Sequence, residues 1–299
     1  MKNIFKQMLL LAASLFISSS CVNSINDEPE DLGEKNLIFK TSTYKQTPMT
    51  RAETTLADAF TKLDLAIYTI GEDKKYTLYK EVTQESGAED FGTLTVEKVK
   101  YGTYALVIVG HKSTSHAILT DPTSIKFGTN NSVTDTFYYS EEFQVDKNSE
   151  QSIEVILKRA VAQFKMIMTN EVPEEAATIS LNIQGTATAF NAISGVGSEA
   201  TERSATITIN DEFKGQTNKS ISAFIFPLAQ SVTKEDSEVT ITVKALDSGK
   251  AVLAEVTHEH VPLTIGYITE YTGPFFDWDT YSFTITATTD WEDTIQEEY

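Results

Sequence analysis

The sequence predicts an all-β protein made of two β-sandwich domains with few short helices. Short runs rich in threonine, isoleucine, valine and aromatic residues follow one another along most of the chain, with polar turns between them. Helix signals are scarce. The 299 residues are enough for about two ordinary domains.

The first twenty residues predict a secretory signal peptide. Lys2 and Lys6 form a positive start, an apolar run follows over residues 8–17, and three serines precede Cys21. The apolar run is too short to span a membrane. Residues 1–20 are therefore assigned to a signal that is removed on export.

Cys21 is the only cysteine, which excludes an intramolecular disulfide. Its place directly after small residues resembles a bacterial lipoprotein signal, although Ser18 stands where leucine is commonest. We expect acylation of the Cys21 thiol, with palmitate among the chains, and attachment to the outer membrane. The alternative is a secreted protein whose cysteine lies near the cut by chance.

The segment after Cys21 and the net charge of the chain indicate which kinds of partner the protein can bind. Residues 21–35 are acidic, turn-rich and poor in apolar side chains, which predicts a flexible tether. The formal net charge of −19 repels phosphate backbones and so excludes nucleic-acid binding. It also argues against attraction to anionic lipid surfaces.

Residues 36–159 are assigned to an N-terminal sandwich. Its first strand is "NLIFKTSTY" (36–44), in which Leu37, Phe39 and Thr41 alternate with Ile38, Lys40 and Ser42. A polar segment with Arg51 before the small residue Ala52 follows. The stretch "TTLADAFTKL" (54–63) predicts one or two helical turns capped by Thr54 or Thr55.

Two later strands define the interior of this sandwich. "KLDLAIYTI" (62–70) places Leu63, Leu65 and Ile67 on one face and Lys62, Asp64 and Tyr68 on the other. "YALVIVGH" (104–111) is apolar on both faces, as a central strand should be.

Residues 160–299 are assigned to a C-terminal sandwich. In "EVILKRAVAQFKM" two strands meet at Lys158 and Arg159, which places the domain boundary near Arg159. Several alternating runs follow, of which "TYSFTITATT" (280–289) is the cleanest.

Few residues point to catalysis or to metal binding. The histidines are His111, His116, His258 and His260, and the pair His258-x-His260 would project from one strand face. No third ligand is identifiable, so the alternative is a polar strand face with two solvated imidazoles. We predict no metal, no cofactor and no enzymatic activity.

The segment "FFDWDTY" (275–281) offers a second candidate site. Asp277 and Asp279 flank Trp278, an arrangement that suits a glycosidase or a sugar platform. The same spacing is typical of a loop before a last strand. Trp278 and Trp291 could stack on glycans.

Four stretches together resemble the fimbrillin-type pilins of Bacteroidales, the subunits of type V pili. They are "VKYGTYALVIVGH" (99–111), "LKRAVAQFKM" (157–166), "FIFPLAQ" (224–230) and "VPLTIGYITEYTGPFF" (261–276). With Cys21 and Arg51 the resemblance spans most of the chain.

The resemblance implies two transthyretin-like sandwiches, export as a lipoprotein and cleavage after an arginine near the N-terminus. Applied to this chain, Arg51-Ala52 would be the scissile bond. The strand carrying Leu37, Phe39 and Thr41 would be displaced, and a strand of a neighbouring subunit would replace it. The alternative is that Arg51 is an ordinary loop residue.

The same resemblance implies that strands are donated from the C-terminal end. Tyr281, Phe283, Ile285 and Ala287 form one apolar face of "TYSFTITATT" and are the candidate donor residues. Alternatively this strand closes the sheet of its own domain.

The function expected from these features is a structural and adhesive fimbrial subunit at the cell surface. Its partners would be other fimbrial subunits and a host protein or glycan. The alternatives are a monomeric glycan-binding surface lipoprotein and a fimbrial base anchor that keeps its lipid. The sequence does not distinguish stalk, tip and anchor.

Overall fold

The computed structural model describes residues 33–43, 55–128, 133–277, 283–290 and 293–295. Nine strands and one short helix make up the N-terminal half of the described chain. In chain order they are β1 Glu34–Thr43, α1 Leu56–Ala59, β2 Lys62–Ile70, β3 Tyr76–Glu85, β4 Thr93–Lys100, β5 Gly102–His111, β6 Ala117–Ile118, β7 Lys126–Phe127, β8 Phe137–Val145 and β9 Ser152–Arg159.

The described residues of the C-terminal half contain eleven strands, joined by turns and loops, and no helix. They are β10 Ala162–Met168, β11 Ala176–Asn191, β12 Val196–Thr208, β13 Lys219–Ile225, β14 Ser231–Val232, β15 Thr240–Asp247, β16 Val252–His258, β17 Leu263–Thr264, β18 Ile268–Gly273, β19 Thr284–Asp290 and β20 Asp293–Ile295. The predicted all-β fold is confirmed.

The strands of the N-terminal half form two layers around one apolar core. One layer has the order β3-β2-β5-β8 and the other has the order β9-β1-β4. A short pairing of β8 with β9, at Phe137 and Tyr138, connects the layers. Between them lie buried side chains of both layers, among them Phe39, Leu65 and Ile108.

Helix α1 is a single turn, which agrees with the one or two turns predicted. Thr55 precedes it, and the Thr55 backbone N–H donates to the Asp58 carboxylate at 2.8 Å, which satisfies one free end group. The helix ends before Phe60, because Phe60 and Leu63 are fully buried in the core of the N-terminal half. Leu63 therefore belongs to β2 and not to the predicted helical stretch.

The C-terminal half also forms two layers. One has the order β13-β10-β18-β19-β20 and the other has the order β12-β11-β15-β16. Phe164, Ile183 and Val243 are fully buried between these layers. The arrangement of two facing sheets over an apolar interior is that of a β-sandwich.

A third cluster, which we call the central core, joins the two halves. Tyr138 of β8 packs edge-on against Phe190 of β11 at 4.7 Å between ring centroids, and Phe190 stacks on Phe226 at 5.4 Å. The long β11–β12 hairpin carries Phe190 across to the N-terminal half, where its backbone bonds to that of Ile125. Lys126 and Glu199 add an ion pair at 2.9 Å.

The central core covers the second face of β2. Asp64 and Tyr68 are as buried as Leu63, because the face that carries them is covered by the central core and by the segment around Ala117.

The strands before and after the predicted domain boundary belong to different sheets, since β9 ends at Arg159 and β10 begins at Ala162. By its internal contacts, however, Gly33–Tyr299 forms one compact unit. The division into two domains at residue 159 therefore stays a prediction. None of the helical segments that the structure describes is both long and apolar enough to cross a membrane.

Candidate functional site

The first strand occupies an interior position in its layer. β1 pairs antiparallel with β4 on one side and parallel with β9 on the other. Phe39 lies opposite Leu94 of β4 and opposite Ile153 of β9. We call the space between β4 and β9 that β1 fills the β1 groove.

The predicted displaced-strand residues line the bottom of this groove. Leu37 and Phe39 are 1% and 0% exposed, and Thr41 is 8% exposed. The Phe39 ring meets Phe143 of the opposite layer edge-on, with centroids 6.2 Å apart. The Thr41 hydroxyl donates to the Gly92 carbonyl oxygen at 3.0 Å. The alternation read from the sequence thus coincides with the buried face of β1.

The N-terminal end of β1 is fixed by a lysine. The Lys35 ammonium donates to the carbonyl oxygens of Ser149 at 2.7 Å and Lys147 at 3.1 Å, both in the turn between β8 and β9. β1 begins at Glu34, so its first residues belong to the segment 21–35 that was expected to be a tether. Lys40, farther along the strand, forms an exposed ion pair with Glu154 at 3.7 Å.

Side chains of β3 close the other edge of β4. The Gln84 amide donates to the Thr93 carbonyl oxygen at 2.8 Å and accepts from the Gly92 N–H at 3.1 Å. The Tyr79 hydroxyl accepts from the Lys100 N–H at 3.3 Å and donates to the Lys98 carbonyl oxygen at 3.5 Å. These bonds occupy backbone groups of β4 that do not pair with β1.

The candidate donor strand lies in the second half. β19 pairs antiparallel with β18, and Ile285 lies opposite Tyr271. In the described chain this strand therefore extends its own sheet. Its exchange between subunits stays a prediction. Ala287 lies within β19, whereas Tyr281 falls outside the described residues.

Phe283, just before β19, covers a buried histidine. The His258 ring lies 4.9 Å from Phe283 and 4.1 Å from Tyr271, measured between ring centroids. Burial lowers the pKa of His258 to about 4, since the charged imidazolium loses its hydration. Among the described residues the His258 Nε2 atom has no hydrogen-bond partner.

The expected pair of solvated imidazoles is therefore wrong for His258. β16 ends at His258, and His260 lies beyond it with a left-handed backbone (φ 53°), where its Nδ1 atom bonds to the Ser237 carbonyl oxygen. The two rings consequently do not share a strand face. Among the described residues, no group of three or more histidine, cysteine, aspartate or glutamate side chains is arranged so that it could hold a metal ion.

The sequence interpretation missed a buried carboxylate network. Asp64 is fully buried and accepts three hydrogen bonds, from His111 Nε2 at 2.8 Å, from His116 Nδ1 at 2.5 Å and from the Ala117 N–H at 2.8 Å. The Ser113 N–H donates to His111 Nδ1 at 3.2 Å, which leaves His111 Nε2 to donate to Asp64. The network holds the segment after β5 on the face of β2.

An acidic residue inside an otherwise apolar strand was the available signal for this network. Glu81 of β3 lies near it, and the pKa of Glu81 is raised mainly by burial and secondarily by the Asp64 charge. The network fixes the segment after β5 in place, and none of its side chains faces the β1 groove. We therefore assign the network to the structure of the central core.

Several predicted site residues lie outside the described residues. They are Cys21, Arg51, Ala52, Trp278, Asp279 and Trp291. Acylation, cleavage and glycan stacking at these positions stay predictions. Asp277 is described and is exposed.

Solved structures align with the chain at TM-scores below 0.5. A fimbrial assembly protein from Parabacteroides distasonis aligns with a TM-score of 0.48 and 10% identity, over 85% of this chain and 95% of the other. The fimbrial anchor protein Mfa2 from Porphyromonas gingivalis aligns with a TM-score of 0.42 and 10% identity, over 85% and 96%. The C-terminally truncated tip fimbrial protein Mfa3 of the same species aligns with a TM-score of 0.42 and 10% identity, over 86% of this chain and 100% of the other.

No curated protein sequence matches the chain. The profile of a protein family matches residues 29–299, which is most of the sequence and includes every described residue. The chain therefore belongs to DUF6562, a family of unknown function.

Proposed function

We propose that the chain is a fimbrial, adhesive protein of the cell surface that joins neighbouring subunits by exchange of a β-strand. The observation that carries the proposal is the position of β1. It is the first described strand, and yet it lies in the interior of its layer, between β4 and β9. The proposed role is structural and involves no catalytic step.

Removal of β1 would leave a site that is complementary to another strand. Backbone groups of both β4 and β9 would lose their hydrogen-bond partners. The apolar space that the Leu37 and Phe39 side chains fill would become accessible. Burial of two such side chains contributes about 3–6 kcal/mol before ordering costs. An extended segment of a neighbour would regain both the main-chain bonds and the apolar contacts.

The release of β1 requires a cut between β1 and α1. Residues 44–55 connect these elements and contain Arg51-Ala52, the proposed scissile bond. Before the cut, acylation of Cys21 would hold the precursor at the outer membrane. A subunit that keeps this lipid would serve as the anchor of the fimbria.

The test compares the wild type with Arg51→Ala and with the control Lys45→Ala in the native host. We expect wild-type surface protein to begin at Ala52 and to form a heat- and detergent-resistant ladder of high mass. Arg51→Ala should keep the precursor mass and remain monomeric, whereas Lys45→Ala should behave like the wild type.

Two outcomes would contradict the proposal. A monomeric wild-type protein on the cell surface would exclude polymerisation. A ladder that persists in Arg51→Ala would show that this cut is not needed. A mature protein that starts at an acylated Cys21 and sits at the end of a heteropolymer would assign the base-anchor role instead.

A further inference from the structure

At one end of the β1 groove, two backbone carbonyl oxygens accept hydrogen bonds from a lysine of β1. The carbonyl oxygens of Lys147 and Ser149 converge on the Lys35 ammonium, at 3.1 and 2.7 Å. Both belong to the turn between β8 and β9, which stays with the protein when β1 leaves. We propose that this carbonyl pair selects the incoming strand, which must carry a lysine or arginine two residues before its first buried apolar residue. This inference rests on the strand-exchange function proposed above.

The carbonyl pair is held in place without help from β1. The Asp146 carboxylate accepts from the backbone N–H groups of Asn148 at 2.7 Å and Ser149 at 2.9 Å. The Ser149 hydroxyl in turn accepts from the Asp146 N–H at 2.8 Å. These bonds are internal to the turn, so an empty groove would keep the acceptors oriented. Hydrogen bonds to a charged donor are stronger than those between neutral groups.

The cation also sets the register of the strand. Lys35, Leu37 and Phe39 point in turn to the carbonyl pair and to two buried positions. A slip of one residue turns the apolar side chains outward. A slip of two keeps them inward but moves the ammonium by about 6.6–6.8 Å along the strand, out of reach of the carbonyl oxygens. The required pattern is basic-x-apolar-x-aromatic.

Thr41 lies towards the far end of the groove. There its hydroxyl donates to the Gly92 carbonyl oxygen at 3.0 Å. This bond favours a hydroxyl-bearing side chain at the position of Thr41. The preferred pattern thus extends to basic-x-apolar-x-aromatic-x-Thr over seven residues, as in Lys35 to Thr41.

The C-terminal segment of the same chain does not fit this pattern. When Tyr281 and Phe283 are placed at the positions of Leu37 and Phe39, Asp279 falls at the position of Lys35. Its carboxylate would then face two carbonyl oxygens, which is repulsive. The occupant we infer is therefore a strand from a different fimbrial subunit, not residues 279–289 of a second copy.

The experiment uses the full chain with a viral-protease recognition sequence substituted between residues 45 and 53. After the cut, the nicked protein is incubated with fluorescein-labelled synthetic peptides, and capture is measured by fluorescence anisotropy. The probes are the peptide of residues 33–43, its variants Lys35→Ala, Lys35→Arg and Lys40→Ala, and the peptide of residues 279–289.

We expect the Lys35→Ala peptide to bind about tenfold more weakly than the unchanged peptide, because it loses hydrogen bonds from a charged group. Lys35→Arg should restore most of the affinity. Lys40→Ala should stay within about twofold, since its ion pair is exposed. The peptide of residues 279–289 should bind no better than Lys35→Ala.

Equal binding of the Lys35→Ala and Lys40→Ala peptides would overturn the selection by the carbonyl pair while leaving strand exchange intact. Tight binding of the peptide of residues 279–289 would overturn the inferred heterologous partner. If the unchanged peptide is not captured by the nicked protein, β1 does not exchange, and the proposed function fails together with this inference.

Discussion

The contribution of β1 to stability can be measured with one substitution, Phe39→Ala. Phe39 is 0% exposed and packs across the core against Phe143. Truncation of a buried phenylalanine removes its transfer free energy and leaves a cavity, which together cost about 3–5 kcal/mol. For a unit of about 150–250 residues this corresponds to a lowering of the melting temperature by roughly 6–20 °C.

The matched control is Ile156→Ala on the neighbouring strand β9. Ile156 is 55% exposed on the outer face of the same layer, so its truncation should cost less than about 1 kcal/mol. Both variants are unfolded in urea and followed by far-ultraviolet circular dichroism. If Phe39→Ala loses no more stability than Ile156→Ala, β1 does not occupy the groove and the reasoning on strand exchange is wrong.

Three further substitutions test the other buried features. The pKa of His258 is about 4 in the fold and about 6.5 when the side chain is exposed. The contribution of neutral His258 to the free energy of unfolding is therefore fully present above pH about 6.5 and is lost as the pH falls towards 4. This contribution is about 3 kcal/mol, so the free energy of unfolding of His258→Leu, measured in urea, should depend less on pH between about 4 and 6.5 than that of the wild type. The same dependence on pH in both proteins would contradict this prediction. Asp64→Asn should cost about 3 kcal/mol by breaking a buried charged network, whereas the exposed control Glu72→Gln should be neutral in the same assay. Phe190→Ala should cost about 3–5 kcal/mol and should let the two halves melt in separate calorimetric transitions; a single unshifted transition would show that the central core does not couple them.

The alternation of β1 was readable from the sequence because burial on one side of a strand follows a period of two. Leu37 and Phe39 are buried as that period predicts. The parallel pairing of β1 with β9 was not readable, since Phe39 and Ile153 are far apart in sequence and no local pattern encodes the partner. The carbonyl pair that receives Lys35 was missed for the same reason.

Long-range contacts also explain the errors. An isolated acid in a strand, such as Asp64, is usually solvated, whereas here His111 and His116 meet it from 47 and 52 residues away. His258 was interpreted as part of a polar strand face, but Phe283 and Tyr271 cover its ring. In both cases another element buries a side chain that local polarity had placed in water.

The closure of the β3–β4 edge bears on how polymerisation could be controlled. A free strand edge invites pairing with any extended segment. In the described N-terminal half, Gln84 and Tyr79 bond to backbone groups along the outer edge of β4, while β1 fills its inner edge. An incoming strand would therefore find β4 occupied on both sides until β1 leaves. This geometry makes the loss of β1, and not the exposure of an edge, the event that would permit assembly of the subunit.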